Sequence, residues 1–203
     1  MDMCGWMRKV TIGLMMISLG AWGSVASVGA ESPSSVLIAD RPSTAPHAIL
    51  KTKFGEMEIV LFQELAPKHV ASFVKLAKKG FFNGTIFHRV IPGFMIQGGD
   101  PLTKDPANRG RYGTGGPGYT LPAEFSKIHH ERGILSAART ADPNSAGSQF
   151  FIMVAKAPNL DGKYTVFGQV IKGMEVADKI VSQPRDPRDS PLERIEMTIE
   201  IVD

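Results

Sequence analysis

With 203 residues, 43% of them hydrophobic and 21% charged, the chain is long enough for one domain with a buried core and too apolar to be disordered throughout. Its formal net charge of +3 is modest and gives no reason to expect a nucleic-acid partner. The 21 glycines and 14 prolines lie mostly between apolar runs, which predicts short strands joined by many turns.

Residues 1–30 have the pattern of a secretory signal peptide. Arg8 and Lys9 precede an apolar stretch over residues 10–28, and Val28-Gly29-Ala30 then offers the small residues that a signal peptidase requires. We expect cleavage after this triplet, and therefore a periplasmic or secreted protein without stable membrane insertion. The alternative is an uncleaved anchor, because the apolar stretch approaches membrane-spanning length.

Two further features concern this N-terminal part. Ser24-Val25-Ala26 is a second candidate cleavage site, and the single cysteine, Cys4, would leave with either product, so no disulfide is expected. Residues 31–47 are rich in Ser, Pro and Ala without periodicity, which predicts a flexible linker ahead of a domain over residues 48–203.

The domain begins with a predicted hairpin and helix. Phe54-Gly55 separates two apolar segments, residues 49–52 and 57–62, which indicates two strands joined by a turn. Pro67 suits the first turn of a helix and Gly80 suits the position just after its end. Between them the apolar residues recur at helical spacing: Val70, Phe73, Val74 and Ala77.

The rest of the domain reads as short strands, one more helix and two long loops. Strands are predicted over residues 85–91, 94–97, 133–138, 148–154, 164–170 and 195–201, a helix over 174–181, and loops over 98–118 and 183–191. About eight strands and two helices without regular alternation favour an antiparallel sandwich or barrel over a parallel α/β sheet. The pattern alone does not distinguish the sandwich from the barrel.

One arginine stands out within a predicted strand. Phe87, Arg89 and Ile91 would share a face of the strand over residues 85–91. An arginine between apolar neighbours must reach solvent, pair with an acid or serve in a site, and the next carboxylate along the chain is Asp100. The sequence spacing alone does not distinguish these three roles for Arg89.

Three motifs resemble the signature segments of the cyclophilins. They are FHRVIPGFMIQGGD over residues 87–100, GSQFFI over 147–152 and LDGKYTVFG over 160–168, and the resemblance extends from His47 to Asp203. It implies a mainly β fold, a closed eight-stranded antiparallel β-barrel capped by two α-helices. It also implies peptidyl-prolyl cis–trans isomerase activity on proline-containing polypeptides, without cofactor or metal. The predicted signal peptide adds unfolded exported proteins as partners, and a monomer is expected because no oligomerisation element is evident in the sequence.

The same resemblance assigns the site. Arg89 matches the catalytic arginine, with His88 beside it, and Gln97 matches the polar residue that orients it. The apolar pocket for the proline ring is matched by Phe94, Met95, Phe151, Leu160 and Tyr164. Positions lining the groove for the substrate backbone are matched by Ala138, Arg139 and Gln149.

Three positions depart from the family pattern. Asn159 stands where many relatives have a tryptophan tied to tight cyclosporin binding, Tyr164 where histidine is frequent, and Arg139 where asparagine is common. These differences predict weak cyclosporin binding and an altered substrate preference, and they leave the catalytic arginine in place.

Other readings compete with this one. The same groove would serve a proline-peptide-binding chaperone module with little turnover, and a barrel could instead carry a small ligand inside. His129-His130 is interpreted as a surface pair rather than a metal site, because adjacent histidines point apart and lack ligand partners. Phe81, Phe82, Phe125, Phe150 and Phe167 are expected in the core.

Overall fold

The computed structural model describes residues 45–202. The predicted signal peptide and all but the end of the predicted linker lie outside the described residues, and His47, the last residue assigned to the linker, begins the first strand. Nine strands follow: β1 His47–Thr52, β2 Gly55–Leu61, β3 Thr85–Ile86, β4 Arg89–Ile91, β5 Met95–Gly98, β6 Ile134–Ala137, β7 Phe150–Met153, β8 Val166–Lys172 and β9 Glu196–Val202.

The strands form one curled antiparallel sheet in the order β3-β9-β1-β2-β8-β6-β7-β5-β4. The predicted β class and antiparallel pairing are thus confirmed, whereas the sheet has nine strands with β3 and β4 at its ends rather than the eight of the expected closed barrel. The extra strand arises because the predicted strand over residues 85–91 is divided. Phe87 N donates to Ile195 O and His88 N donates to Gln97 O, so the chain changes strand partner between these two residues.

Two α-helices lie in the described part of the chain, α1 (Pro67–Lys78) and α2 (Met174–Val181). Pro67 begins α1 as predicted, and Gly80, just past the C-cap Lys79, has φ +65°, a conformation that glycine adopts without a Cβ clash. Helix α1 packs against β9, and α2 packs against β2, β4 and β5. Within residues 45–202, no helix has the length and hydropathy needed to cross a bilayer.

Three short 3-10 helices complete the elements, and they lie in the loops that surround the site. Two of them, Pro101–Lys104 and Pro106–Arg111, occupy the predicted loop over residues 98–118, and the third is Pro158–Leu160. Asp100 and Asp105 begin the first two by accepting hydrogen bonds from the backbone N–H groups of Leu102 and Ala107. The long loop is therefore built from capped turns.

Phenylalanine rings fill the space enclosed by the curled sheet. Phe150 is the centre of the cluster, with edge-to-face contacts to Phe73, Phe82 and Phe87 at centroid distances of 5.8, 5.9 and 6.5 Å. A hollow of only about 10 Å³ remains beside this cluster, enough for one water at most. This argues against a small ligand carried inside. Phe125, predicted in the core, is 44% exposed, so that expectation was wrong.

Candidate active site

Three neighbouring strands place the predicted catalytic arginine beside its predicted partners. Arg89 opens β4 opposite Gln97 of β5, and Gln97 in turn lies opposite Phe151 of β7. The three residues therefore form a row across the sheet. The Arg89 side chain is exposed, and its guanidinium makes no hydrogen bond or ion pair with any residue that the structure describes.

This row borders a hollow of about 330 Å³ at the surface. Nine of the twelve predicted site residues line it: Arg89, Phe94, Met95, Gln97, Ala138, Arg139, Phe151, Leu160 and Tyr164. Met95, Phe151 and Leu160 are buried beneath it, and a guanidinium stands at its rim. A hollow with an apolar floor next to an unpaired cationic donor can hold a proline ring and offer a hydrogen bond to its nitrogen.

Arg139 and Tyr164 close one side of the hollow. The Arg139 guanidinium carbon lies 4.4 Å from the centroid of the Tyr164 ring, a cation–π arrangement. Its nitrogens donate to Lys163 O at 3.0 and 2.7 Å and to Thr140 O at 2.8 Å. The Arg139 side chain, which departs from the family pattern, is therefore fixed to the backbone at two separate positions and packs over the tyrosine ring.

A buried histidine supports the same wall from behind. The His130 side chain is fully buried, and its ring stacks on Phe151 at 6.1 Å and meets Tyr164 edge-on at 6.4 Å. Its Nδ1 and its backbone N–H both contact Asp161 Oδ1, at 3.0 and 2.8 Å. Its Nε2 lies 3.2 Å from Ser136 Oγ.

The expectation of a surface histidine pair was thus wrong for His130, although His129 is exposed. Both rings turn to one carboxylate, since His129 Nδ1 lies 2.7 Å from Asp161 Oδ2. Sequence reasoning missed this support because Asp161 indicated only a turn. Burial would raise the pKa of Asp161, but hydrogen bonds from His129 and from the His130 backbone and ring lower it to about 2. Burial lowers the pKa of His130, against the pull of Asp161.

Gln149 lies outside the hollow and organises the groove next to it. Its amide nitrogen donates to Gly113 O at 2.9 Å and to Gly115 O at 2.8 Å, while its oxygen accepts from Gln97 Nε2 at 3.1 Å. A groove of about 370 Å³ runs along this loop, and Ala138, Arg139 and Gln149, the three residues assigned to the substrate backbone, all line it. Among the described residues, the Gln97 side chain makes no hydrogen bond to the Arg89 guanidinium, although the two residues are paired through their backbones.

Besides Gln149, two predicted site residues lie apart from the hollow. Asn159 is exposed and its carbonyl accepts from Lys163 Nζ at 3.2 Å. His88 is buried on the other side of Arg89. Across residues 45–202, no group of three or more His, Cys, Asp or Glu side chains is placed to hold a metal ion.

Comparison with known proteins agrees with this geometry. The chain matches the family model described as "Cyclophilin type peptidyl-prolyl cis-trans isomerase/CLD" over residues 47–201. It is 49% identical over 159 residues to a probable peptidyl-prolyl cis-trans isomerase of Brucella suis, covering 76% of this chain and 78% of that protein. A Dickeya dadantii protein named peptidyl-prolyl cis-trans isomerase A is 41% identical over 178 residues, covering 80% and 82% of the two chains.

A solved structure gives the same result. The crystal structure of a cyclophilin type peptidyl-prolyl cis-trans isomerase of Cryptosporidium parvum, in the presence of the dipeptide Ala-Pro, has a TM-score of 0.70 at 34% identity and covers 77% of this chain and 99% of that one. Fold, site and relatives define the class, peptidyl-prolyl isomerase. Within that class the chain belongs to the cyclophilin family. Enzymatic turnover is thus favoured over the alternative of a binding module.

Proposed function

We propose that Arg89 accelerates rotation about Xaa-Pro bonds by donating a hydrogen bond to the prolyl nitrogen of the twisted transition state. The planar amide resists rotation with a barrier of roughly 18–20 kcal/mol, because the nitrogen lone pair is delocalised into the carbonyl. Twisting localises that lone pair, and the nitrogen becomes an acceptor. A guanidinium aimed at this nitrogen then binds the transition state more strongly than either ground state.

The observation that carries the proposal is the free guanidinium beside a hollow whose floor is apolar. Arg89 has no acidic partner among the described residues, so its donors are available to a substrate. The buried side chains of Met95, Phe151 and Leu160 line the hollow and offer apolar contact to a proline ring. The Ala-Pro dipeptide present with the Cryptosporidium parvum relative supports proline-containing peptides as substrates.

Two contributions add up to the acceleration. One charged hydrogen bond contributes about 1.5–3 kcal/mol, which is roughly one to two orders of magnitude in rate. In a preorganised site shielded from water it reaches ~10²–10³-fold. The hollow supplies the rest, since it holds the ring still while the other side of the bond rotates. This mechanism needs no nucleophile, metal or proton transfer.

A protease-coupled assay on a short Xaa-Pro peptide tests the role of Arg89. We expect Arg89→Ala to lower kcat/KM by ~10²-fold or more, with the circular dichroism spectrum unchanged. Arg111→Ala is the matched control, because Arg111 is also exposed and lines neither the hollow nor the groove. A loss under about threefold in Arg89→Ala would count against the mechanism.

We further propose that the enzyme acts on exported proteins in the periplasm or outside the cell. The support is the signal-peptide pattern of residues 1–30. Expression of the full chain in a bacterium with two membranes, followed by N-terminal sequencing, tests this part. The expected product lies in the periplasm or medium and begins at Glu31. A membrane-bound product that retains residues 1–30 would support the anchored alternative instead.

A further inference from the structure

A second hollow, of about 170 Å³, lies on the other side of Arg89 from the proline hollow. The two hollows share Arg89 and Gln97 in their walls. Its size suits one side chain rather than a peptide segment. Its lining includes three guanidinium groups, from Arg89, Arg109 and Arg188, and no carboxylate.

Two polar side chains in the same lining have hydrogen-bonding capacity that the fold does not use. His88 is only 5% exposed, and neither of its ring nitrogens makes a well-aligned hydrogen bond among the described residues, the Ile86 carbonyl being the one backbone acceptor that acts on the ring. Its Nε2 faces Gly113, because a Cβ built on that glycine would lie 3.8 Å from it. Ser190 is 7% exposed, and its hydroxyl, which solvent still reaches, has no protein partner in the described part of the chain. A buried polar group such as the His88 ring is costly to leave without a partner unless a ligand satisfies it.

The His88 ring is suited to act as a neutral hydrogen-bond donor. Burial lowers the pKa of His88 to about 4, although the Asp100 carboxylate and the Ile86 carbonyl both favour the charged form. At neutral pH the ring therefore carries one N–H. The positive charge of the hollow comes from the three arginines instead.

The nearby acids offset part of that charge. Asp186 Oδ2 lies 3.2 Å from Arg109 Nη2 and 4.0 Å from Arg188 Nε, so one carboxylate faces two guanidinium groups from outside the lining. The Asp100 carboxylate accepts from the backbone N–H groups of Leu102, Gly113 and Gly115, and its negative charge acts on His88 in the lining. Two carboxylates thus stand near three guanidinium groups, so the hollow keeps a net positive charge and favours an anion.

We propose that this hollow binds the carboxylate of a Glu or Asp side chain next to the proline of the substrate. The inference rests on the proposed function, since it takes the larger hollow as the proline site. An extended peptide advances about 3.3 Å per residue. Because Arg89 and Gln97 border both hollows, a residue adjacent to the proline reaches the second while the ring occupies the first.

Paired peptides that differ only in Glu or Gln test the proposal. One pair carries the change immediately before the proline and the other immediately after it, and kcat/KM is measured for each peptide. We expect the wild type to prefer Glu by about tenfold in at least one pair, as for a charge-assisted hydrogen bond. In Arg109→Gln/Arg188→Gln this preference should vanish, with the kcat/KM for the Gln peptides unchanged.

The control is Arg111→Gln/Lys127→Gln, which removes the same charge from two exposed side chains outside the hollow. It should retain the preference. The Arg188 guanidinium approaches Asp186 no closer than 4.0 Å, so replacing it should not disturb the loop. Arg188→Gln alone should therefore lose part of the Glu preference. No Glu preference in either pair, or a preference lost equally in the control, would overturn the proposal. Slow turnover of the Gln peptides by the wild type would instead count against the proposed function.

Discussion

Asp161 offers a test of how the proline hollow is held in shape. It accepts from the backbone N–H and the ring of His130, whose side chain is fully buried behind Phe151 and Tyr164. In Asp161→Ala both donors lose this acceptor. An unsatisfied buried donor costs about 1–3 kcal/mol, so the pair costs about 2–6 kcal/mol.

Because the Asp161 side chain is 23% exposed, water can reach part of the vacated space. We therefore expect Asp161→Ala to lower the free energy of unfolding by about 2–4 kcal/mol. Asp161→Asn keeps one oxygen that can accept from His130, so its decrease in the free energy of unfolding should be at most half as large. The KM for a proline peptide should rise in both variants, more than kcat falls, because the wall loosens while Arg89 remains.

Chemical denaturation and steady-state kinetics measure these effects. Glu64→Ala is the control, because Glu64 is exposed and has no partner among the described residues. The reasoning would be refuted if Asp161→Ala cost under about 0.5 kcal/mol, the range of an ordinary surface substitution. It would also be refuted if KM stayed unchanged in a variant destabilised as expected.

Three further predictions concern Asp161, Arg139 and Asn159. The folded-state pKa of Asp161 is about 2 against an ordinary 3.8, so its charge stabilises the fold above pH 3.8 and that stability is lost as the pH falls toward 2. The stability difference between wild type and Asp161→Asn should shrink over this interval in denaturant titrations; a constant difference would contradict it. Arg139→Ala removes the cation–π contact with Tyr164 and should raise KM about two- to fivefold, with little change in kcat; an unchanged KM would speak against the contact. Because Asn159 stands where many relatives have a tryptophan tied to tight cyclosporin binding, we expect calorimetry to show weak cyclosporin binding; a nanomolar Kd would contradict this.

Local chemistry made much of the fold predictable. The Pro67 and Gly80 positions placed α1, because each residue has a backbone preference that suits one end of a helix. Phe54-Gly55 placed the first hairpin for the same reason, with Gly55 at φ +129°. The division of the strand over residues 85–91 was not predictable from pattern, because it depends on which sheet edge each half meets.

The site was predictable only where a motif spans it. Nine of the twelve assigned residues line one hollow, and seven of these nine belong to the three motifs. The support of His130 by Asp161 joins residues 31 positions apart, and neither lies in a pattern that distinguishes a buried histidine from an exposed one. The Arg109–Asp186 pair beside the second hollow spans 77 positions. Contacts of this kind depend on tertiary packing, and spacing along the chain does not encode them.

The central claim is that Arg89 stabilises the twisted amide and not the resting peptide. NMR exchange spectroscopy on one Xaa-Pro peptide measures both quantities, the dissociation constant and the cis–trans exchange rate on the enzyme. We predict that Arg89→Ala reduces the bound-state exchange rate by ~10²-fold or more while Kd changes by less than about threefold. A higher Kd combined with an unchanged bound-state exchange rate would contradict the claim, because Arg89 would then only bind substrate.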